Sequence, residues 1–315
     1  MSCLISNISQ SSEVPQYVSS AVLVKLPAEL ENVQYSFEAS VALSAAWKAG
    51  RECLLPMRPQ IIRDSQGVEP QTSQADYAAN EKIYSTLKQH FPSDGYISQE
   101  GAPFASAMPY LKTERSWVVD PLDGTGTYAE GDTDEYGIHI ALVDHGTGEV
   151  VVGVNYYPAQ DITYFAIKGH GAFKQKGHSP AETLRVSPPS NAIHAYKATR
   201  TPLINRIYDH LENVSFTPCF SCGLRIVSMT DTSQNLYITS GHNTQCGNTS
   251  GPVRFTATWD IASGSLILKE AGGVVAYIDG SPIDFLADDG RLTQTLIVTS
   301  DRALYDQIQQ IFYSV

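Results

Sequence analysis

The segment 117–125, with the sequence WVVDPLDGT, limits the possible folds of this chain more than any other feature. Three apolar residues that are typical of a β-strand run directly into Asp120 and Asp123, and Gly124 follows. Charged side chains at the end of a buried strand need a partner, because an unpaired charge is costly to bury. The sequence therefore predicts a strand that ends in a polar cleft.

The charge balance narrows the class of partner. The 315 residues include 21 basic and 33 acidic side chains, for a net charge of -12. Such a chain lacks the basic face that binding to a nucleic acid polymer or an anionic membrane requires, and no apolar stretch approaches the length of a membrane span. An anionic substrate remains compatible, because a bound cation can reverse the charge of a pocket locally.

The cysteines and the N-terminus indicate the cellular setting. An odd count of five cysteines without a regular framework predicts reduced thiols and a cytoplasmic location. The motif from Cys219 to Cys222 stands alone, which favours two partly buried thiols over a zinc or redox site. Residues 1–35 have no basic stretch followed by an apolar one, so they do not resemble a secretory signal. We expect them to form a flexible extension.

Hydrophobic periodicity predicts the organisation of the rest. A helix is expected over 37–53, a loop to about residue 72, and a second amphipathic helix over 73–91. Short strands then predict an antiparallel sheet. A composition shift near residue 190 separates an α+β lobe with the antiparallel sheet and the metal site, 36–190, from a smaller α/β lobe that completes the active site, 191–315.

Acidic residues at the ends of apolar strands or the starts of helices predict a cation site. Glu100, Asp120, Asp123 and Asp260 occupy such positions, which converge on a cleft in layered α and β structures. Carboxylates gathered in one cleft repel one another unless a cation lies between them, and hard oxygen ligands select magnesium or manganese. The backbone carbonyl of Leu122 could face the same ion.

Gly124 and Thr125 predict a phosphate-binding turn. Glycine allows close backbone approach, and a helix that starts there would offer free N–H groups to a phosphate. Thr125 could orient an attacking water with Asp76 as its partner. Alternatively, Asp76 and Asp260 could cap helices and Glu100 could be a solvated loop residue. A covalent aspartyl phosphatase of the D-x-D-G-T type is excluded, because Pro121 stands where its nucleophile would be.

These motifs resemble those of the inositol monophosphatase superfamily, the lithium-sensitive, Mg²⁺-dependent phosphomonoesterases that include the 3′(2′),5′-bisphosphate nucleotidases. Residues 120–125 match the motif D-P-L-D-G-T, and residues 259–264 match W-D-x-A-x-G, followed by Gly-Gly at 272–273. The hairpin and G-A-F segment between them, 153–173, also match. The resemblance covers roughly residues 36–313, and two motifs in this order are a specific signal.

The resemblance implies a layered α-β-α-β-α sandwich of the α+β or α/β class. It also implies two or three Mg²⁺ ions, which Mn²⁺ could replace, and lithium inhibition. The reaction would be hydrolysis of a small phosphorylated metabolite, of the inositol or sugar phosphate class, by metal-activated water. Family members commonly form homodimers. The implied metal ligands are Glu100, Asp120, Leu122, Asp123 and Asp260; the catalytic residues are Thr125, Asp76 and Glu100; the phosphate-binding residues are Gly124 and Thr125.

Departures from the family pattern keep alternatives open. Gln99 and Glu100 replace a Glu-Glu pair whose first member is the usual ligand, and Thr127 replaces an Asn. Val253 stands where inositol-specific members have an acid, which disfavours strict inositol specificity. One alternative is a 3′(2′),5′-bisphosphate nucleotidase acting on 3′-phosphoadenosine 5′-phosphate, although Gly126 replaces the Lys of that branch. Another is a non-catalytic relative that binds a phosphometabolite, but the intact aspartates favour catalysis.

Overall fold

The computed structural model describes residues 24–63, 68–101, 113–187, 191–196, 201–241, 256–287 and 290–314, with the side chains of 60–63 and 68–73 excepted. The α-helices in these ranges are α1 (Ser36–Ala49), α2 (Leu55–Arg63), α3 (Val68–His90), α4 (Thr125–Glu130), α5 (Pro202–Asp209), α6 (Cys222–Val227), α7 (Thr258–Glu270) and α8 (Arg302–Ser314). The strands are β1 (Gly95–Ser98), β2 (Arg115–Asp123), β3 (Gly137–Asp144), β4 (Val150–Tyr157), β5 (Ile162–Ile167), β6 (Ala172–Lys176), β7 (Glu182–Thr183), β8 (Ile193–Tyr196), β9 (Val214–Thr217), β10 (Leu236–Thr239), β11 (Val274–Tyr277) and β12 (Leu296–Thr299).

The first sheet contains seven strands in the order β1-β2-β3-β4-β5-β6-β7. Strands β2 to β7 pair antiparallel, as the sequence predicts. The prediction is wrong for β1, which pairs parallel with β2 and places Ser98 beside Val119. The connection over 99–114 is long enough for the crossover that a parallel pair requires, whereas a hairpin turn would have made the pair antiparallel.

The alternation of side chains along β2 explains the layers. Trp117 and Val119 are buried in a core with α1 and α3 on one face of the sheet. Val118 points to the opposite face and belongs to a second core with α6 and α7. Because successive side chains of a strand point to opposite faces, a continuous apolar run of this kind fits a sheet covered on both sides.

A second sheet completes the sandwich. Its five strands run in the order β11-β12-β10-β8-β9, with β10, β8 and β9 parallel and the β10–β12 and β11–β12 pairs antiparallel. Helix α7 contributes to the core between the two sheets, and a third core joins the outer face of the second sheet to α5 and α8. The predicted α-β-α-β-α layering is therefore confirmed. The boundary predicted near residue 190 falls between β7 and β8.

The loop predicted up to residue 72 is wrong. A π-helical segment, Gly50–Leu54, follows α1 directly and leads into α2, and α3 begins already at Val68. Proline is a poor residue for a helix interior, so Pro56 and Pro59 argue against a helix in the sequence. In a π segment the backbone hydrogen bonds span five residues instead of four. Such a segment is a local bulge inside an α-helix and does not end the helix.

The part of the predicted N-terminal extension that the structure describes is packed against the body. Leu26 and Leu30 are 6% and 1% exposed and join the core formed with α1 and α3. The backbone N–H of Val24 donates to the Ser44 hydroxyl at 2.8 Å. Residues 1–23 lie outside the described ranges. Within those ranges, no helix combines the length and the apolar character that crossing a bilayer demands.

Truncation of Leu30 tests this packing. We expect Leu30→Ala to lower the free energy of unfolding by about 2–5 kcal/mol, because it removes a buried side chain and leaves a cavity. Denaturant unfolding measures the change. Leu55→Ala is the matched control, since Leu55 is 36% exposed and its truncation should cost less than about 0.5 kcal/mol. Equal losses in the two variants would contradict the packing of this segment.

Candidate active site

The carboxyl end of β2 delivers two aspartates to one place. The pairing of β2 with β3 shifts register between Asp120, which lies opposite His139, and Asp123, which lies opposite Gly137. Such an irregularity re-aims the side chains that follow it. Asp120 and Asp123 are 1% and 8% exposed, and Asp120 Oδ1 accepts the Leu122 backbone N–H at 3.0 Å. Both carboxylates are thus buried at a strand end, as predicted.

Gly124 starts the predicted turn. Its φ of 82° lies in the left-handed region, and a Cβ there would lie 2.5 Å from the carbonyl oxygen of Glu135. Only glycine meets both conditions. Helix α4 then begins at Thr125, whose hydroxyl donates to the Leu122 carbonyl at 3.0 Å. The residues predicted to bind phosphate therefore lie at a helix start directly beside the aspartates.

Thr127 replaces the Asn of the family and has a structural partner. Its hydroxyl lies 2.8 Å from the Gly124 carbonyl oxygen and 3.0 Å from the Glu135 carbonyl oxygen. These contacts tie the start of α4 to the segment before β3. Thr127 at this position therefore stabilises the turn at Gly124.

Asp76 reaches the cluster from α3. The helix begins at Val68, two turns earlier, so the alternative in which Asp76 caps this helix is wrong. Asp76 is 4% exposed, and its Oδ1 has no hydrogen-bond partner among the described residues. Burial, followed by the charge of Glu100, raises the pKa of Asp76 to about 8. A buried carboxyl that lacks a donor is suited to a ligand or a proton.

Glu100 is the acid of the Gln99–Glu100 pair that faces the cluster. Its negative charge acts on Asp76, and partial burial raises its own pKa. Gln99 is exposed, and its backbone N–H donates to the Val119 carbonyl. The prediction that Glu100 supplies the carboxylate is consistent with this placement.

Asp260 lies in the first turn of α7, where its Oδ2 accepts the Ala257 N–H at 2.7 Å. The N-cap of α7 is Ala257, so Asp260 is not itself the N-cap, but its carboxylate binds the N–H of that residue and also belongs to the cluster. Burial, followed by the charge of Asp123, raises its pKa to about 7. Burial, followed by the charges of Asp123, Asp260 and Asp76, raises the pKa of Asp120 well above its usual range. Like charges in a poorly hydrated site favour protonation or a bound cation.

Asp123 has an additional partner that sequence reasoning missed. Its Oδ2 accepts the Ser221 hydroxyl at 2.5 Å and the Gly223 N–H at 2.9 Å, and its Oδ1 accepts the Cys222 N–H at 3.1 Å. All three donors come from the start of α6. A contact across about a hundred residues leaves no local signal in the sequence.

His139 is a second residue that sequence reasoning missed. Its side chain is fully buried in β3, its Nε2 lies 3.5 Å from Asp123 Oδ2, and neither ring nitrogen has a hydrogen-bond partner in the described part of the chain. Burial lowers the pKa of His139, so the ring is neutral and the contact is not an ion pair. In the sequence, His139 is a single histidine between two isoleucines of a strand run, and that pattern gives no indication of a contact with Asp123.

The donor chemistry fits a hard cation, although the arrangement is not yet a coordination sphere. Carboxylate and carbonyl oxygens are the ligands that Mg²⁺ and Mn²⁺ prefer. Across the described ranges, no group of three or more acidic, His or Cys side chains is already arranged around a common cation position. Val253, which bears on inositol specificity, lies outside the described residues.

The two cysteines of the C-x-x-C motif lie on either side of Ser221, the N-cap of α6. Cys219 and Cys222 are free thiols, and Cys219 is buried. Burial raises the pKa of Cys219 to about 12, which makes its thiol unreactive. The interpretation as two partly buried thiols is confirmed.

The raised pKa values predict how cation and pH act together on stability. An acid whose pKa is raised on folding stabilises the protein below its unfolded pKa of about 3.9, and that contribution is lost as the pH rises through the folded pKa. In the folded protein, the pKa of Asp76 is about 8 and the pKa of Asp260 is about 7. We therefore expect the metal-free protein to lose stability between about pH 4 and pH 8.

Magnesium should reverse this loss. We expect Mg²⁺ to raise the melting temperature more at pH 8.5 than at pH 6. For a chain of 315 residues, each kcal/mol of stabilisation corresponds to a shift of about 1.5 °C. Asp120→Asn should raise the melting temperature of the metal-free protein and remove the response to Mg²⁺. Scanning calorimetry with EDTA and with Mg²⁺ measures both. A metal-free protein that becomes more stable from pH 6 to pH 8.5 would contradict the cluster.

Comparison with known proteins agrees with this geometry. A family model described as the inositol monophosphatase family matches residues 35–313. Inositol monophosphatase 2 of Solanum lycopersicum is 30% identical over 263 residues, which cover 78% of this chain and 89% of the tomato protein.

Solved structures share the fold. CysQ of Bacteroides thetaiotaomicron, titled a bacterial member of the inositol monophosphatase family, superposes with a TM-score of 0.66 at 24% identity, over 84% of this chain and 98% of that one. Inositol monophosphatase II of Staphylococcus aureus gives a TM-score of 0.66 at 21% identity, over 86% and 91%. With a family match over nearly its whole length, the chain belongs to the inositol monophosphatase family and is a phosphatase.

Proposed function

We propose that this protein is a Mg²⁺-dependent, Li⁺-sensitive phosphatase that hydrolyses a small phosphate monoester of the inositol or sugar phosphate class with metal-activated water. The observation that carries the proposal is the buried carboxylate cluster at the end of β2, where the pKa values of Asp76, Asp120 and Asp260 are all raised. Such a cluster is costly without a cation. The free thiols of the described cysteines support a reducing, cytoplasmic setting.

The residues divide into ion holders and groups that act on water. Glu100, Asp120, Asp123 and Asp260, with the Leu122 carbonyl, would hold two or three Mg²⁺ ions, which Mn²⁺ could replace. Bound magnesium would supply hydroxide near neutral pH and neutralise charge on the phosphoryl group. The ion holders differ in how they are fixed, since Asp120 and Asp260 each accept one backbone N–H, whereas Asp123 accepts two backbone N–H groups and a hydroxyl.

Thr125 and Asp76 would position the attacking water. The Thr125 hydroxyl already directs its hydrogen to the Leu122 carbonyl, so its oxygen lone pairs remain available to accept from a water molecule. Among the described residues, no donor reaches the buried Asp76 Oδ1, and a carboxylate with a pKa of about 8 can take a proton from that water. The Gly124 and Thr125 N–H groups at the start of α4 would bind the phosphate oxygens.

A second candidate is supported by Arg225. Its guanidinium donates to the Cys219 carbonyl and to the Tyr237 hydroxyl, and among the described residues it has no carboxylate salt bridge. Its positive charge also lowers the pKa of Asp260, so its field reaches the cluster. A cation of this kind favours a substrate with a second anionic group. That is the chemistry of a 3′(2′),5′-bisphosphate nucleotidase acting on 3′-phosphoadenosine 5′-phosphate.

A substrate panel tests the activity. Phosphate release is measured with Mg²⁺, with EDTA, and with Mg²⁺ plus millimolar lithium, on inositol 1-phosphate, 3′-phosphoadenosine 5′-phosphate, fructose 1,6-bisphosphate, histidinol phosphate and a 2′-nucleotide. We expect release that requires Mg²⁺ and falls with lithium. Asp120→Asn and Asp260→Asn should each lower kcat at least about 100-fold, since lost metal ligands cost several kcal/mol of transition-state stabilisation.

Asp306→Asn is the control for the panel. Asp306 pairs with Arg302 on the exposed side of α8, away from the cluster, so its removal should leave kcat unchanged. If the wild-type protein releases no phosphate from any substrate but still binds a phosphate ester in calorimetry, it is a binding protein, and the proposal is contradicted.

Substitutions at the adjacent positions 99 and 100 test which side chain binds the cation. We expect Glu100→Gln to raise the Mg²⁺ concentration for half-maximal activity about tenfold or more, equivalent to about 1.4 kcal/mol, because Glu100 faces Asp76. Gln99→Glu should leave the curve unchanged, since Gln99 is exposed. If Gln99→Glu lowers the Mg²⁺ concentration for half-maximal activity, the ligand position instead belongs to residue 99.

A further inference from the structure

The start of α6 holds the Asp123 carboxylate with an unusual concentration of donors. The Ser221 hydroxyl, the Cys222 N–H and the Gly223 N–H all donate to it, at 2.5, 3.1 and 2.9 Å. Three charge-assisted hydrogen bonds to one carboxylate fix its rotation as well as its position. The acceptor belongs to the first sheet and all three donors belong to the segment after β9, so the contact joins distant parts of the chain.

The Ser221 hydroxyl has no freedom to turn elsewhere. Its oxygen accepts the Leu224 N–H at 3.1 Å as the N-cap of α6, and its one hydrogen goes to Asp123 Oδ2. Ser221 is fully buried. A hydroxyl supplies one donor and two acceptor lone pairs, so Ser221 caps its helix and holds Asp123 at the same time. Capping alone needs only the Leu224 contact and does not explain the bond to Asp123.

The neighbouring residues make this arrangement rigid. The Phe220 N–H donates to Glu135 Oε2 at 2.9 Å, and the Arg225 Nε donates to the Cys219 carbonyl at 2.8 Å. On the other side of Asp123, the His139 ring packs so closely against α6 that a Cβ on Gly223 would lie 2.3 Å from it. The carboxylate is therefore enclosed between a pinned turn and a buried ring.

The distribution of donors identifies the atom that remains for a ligand. Asp123 Oδ2 accepts both Ser221 and Gly223, which uses its two lone pairs. Among the described residues, Oδ1 accepts only the Cys222 N–H, so one lone pair is left. This oxygen belongs to the group whose charge raises the pKa values of Asp120 and Asp260.

We propose that Ser221 is a positioning residue that holds Asp123 so that its Oδ1 faces the cation, and that the start of α6 thereby sets the cation affinity. The inference rests on the proposed function, because it needs Asp123 as a ligand. Groups that orient metal-binding carboxylates commonly contribute about 10–100-fold to metal affinity. Ser221 acts through Asp123 and does not touch the substrate.

Calorimetric titration with Mg²⁺ tests the proposal independently of turnover. We expect Ser221→Ala to raise the Kd for Mg²⁺ about tenfold or more, and Ser221→Thr, which keeps the hydroxyl, to restore it. The control is Thr201→Ala. Thr201 is equally buried and caps α5 through the Ile204 N–H at 3.2 Å, but it does not contact Asp123. Its loss should cost about 1 kcal/mol of stability and leave the Kd unchanged.

The outcomes separate the two proposals. If the wild-type protein binds Mg²⁺ and Ser221→Ala binds it equally well, the role of Ser221 is wrong and the proposed function stands. If Thr201→Ala weakens binding as much as Ser221→Ala, the effect is general destabilisation, and the inference is again overturned. If the wild-type protein binds no Mg²⁺, the proposed function fails, and the inference fails with it.

Discussion

Repulsion among buried carboxylates is the constraint on which the rest of this structure depends. The charges of Asp123, Asp260 and Asp76 raise the pKa of Asp120, the charge of Asp123 raises that of Asp260, and burial is the first cause of each raised pKa in the cluster. Removing charges from water costs several kcal/mol per ion unless partners replace the water. A fold that keeps these residues together must supply protons, donors or a cation. The end of β2 and the starts of α6 and α7 provide hydrogen-bond donors to these carboxylates.

The first sheet and the helices on its two faces contribute different parts of that solution. The first sheet delivers the carboxylates through β2 and holds them against α3. Helices α6 and α7, which come later in the chain, pack on the opposite face and bring the donors for Asp123 and the carboxylate of Asp260. The cluster is therefore complete only when elements far apart in sequence have packed. Stability of the sandwich and competence of the site are consequences of the same contacts.

The sequence predicted the parts of this site that are encoded locally. The run from Trp117 to Thr125 predicts a strand, two acids at its end and a helix start, and the structure has each at these positions. The layered fold could be predicted because the two motifs resemble those of a family. The antiparallel pairing of β2 to β7 followed from short connections, and the parallel pairing of β1 did not, because the strand run alone carries no direction.

Other parts could not be predicted because they depend on distant contacts or on exceptions to local rules. Ser221 and His139 look like ordinary residues until α6 packs beside β3. Pro56 and Pro59 suggested a loop, but a helix passes through them. Leu26 and Leu30 lie in a Ser-rich, weakly patterned N-terminal region, and only the apolar surface of α1 gives them a place to pack.

The π-helical segment Gly50–Leu54 has a consequence for evolution. A π turn contains one residue more than the α-helical turn it replaces, so it rotates the following helix by about 100° about its axis. A one-residue insertion in an ancestral helix could therefore be absorbed there without unfolding the element. Relatives without this segment would present a different set of side chains from the region equivalent to α2. An alignment of this helix with such relatives should then need a gap of a single residue inside the helix, where gaps are otherwise rare.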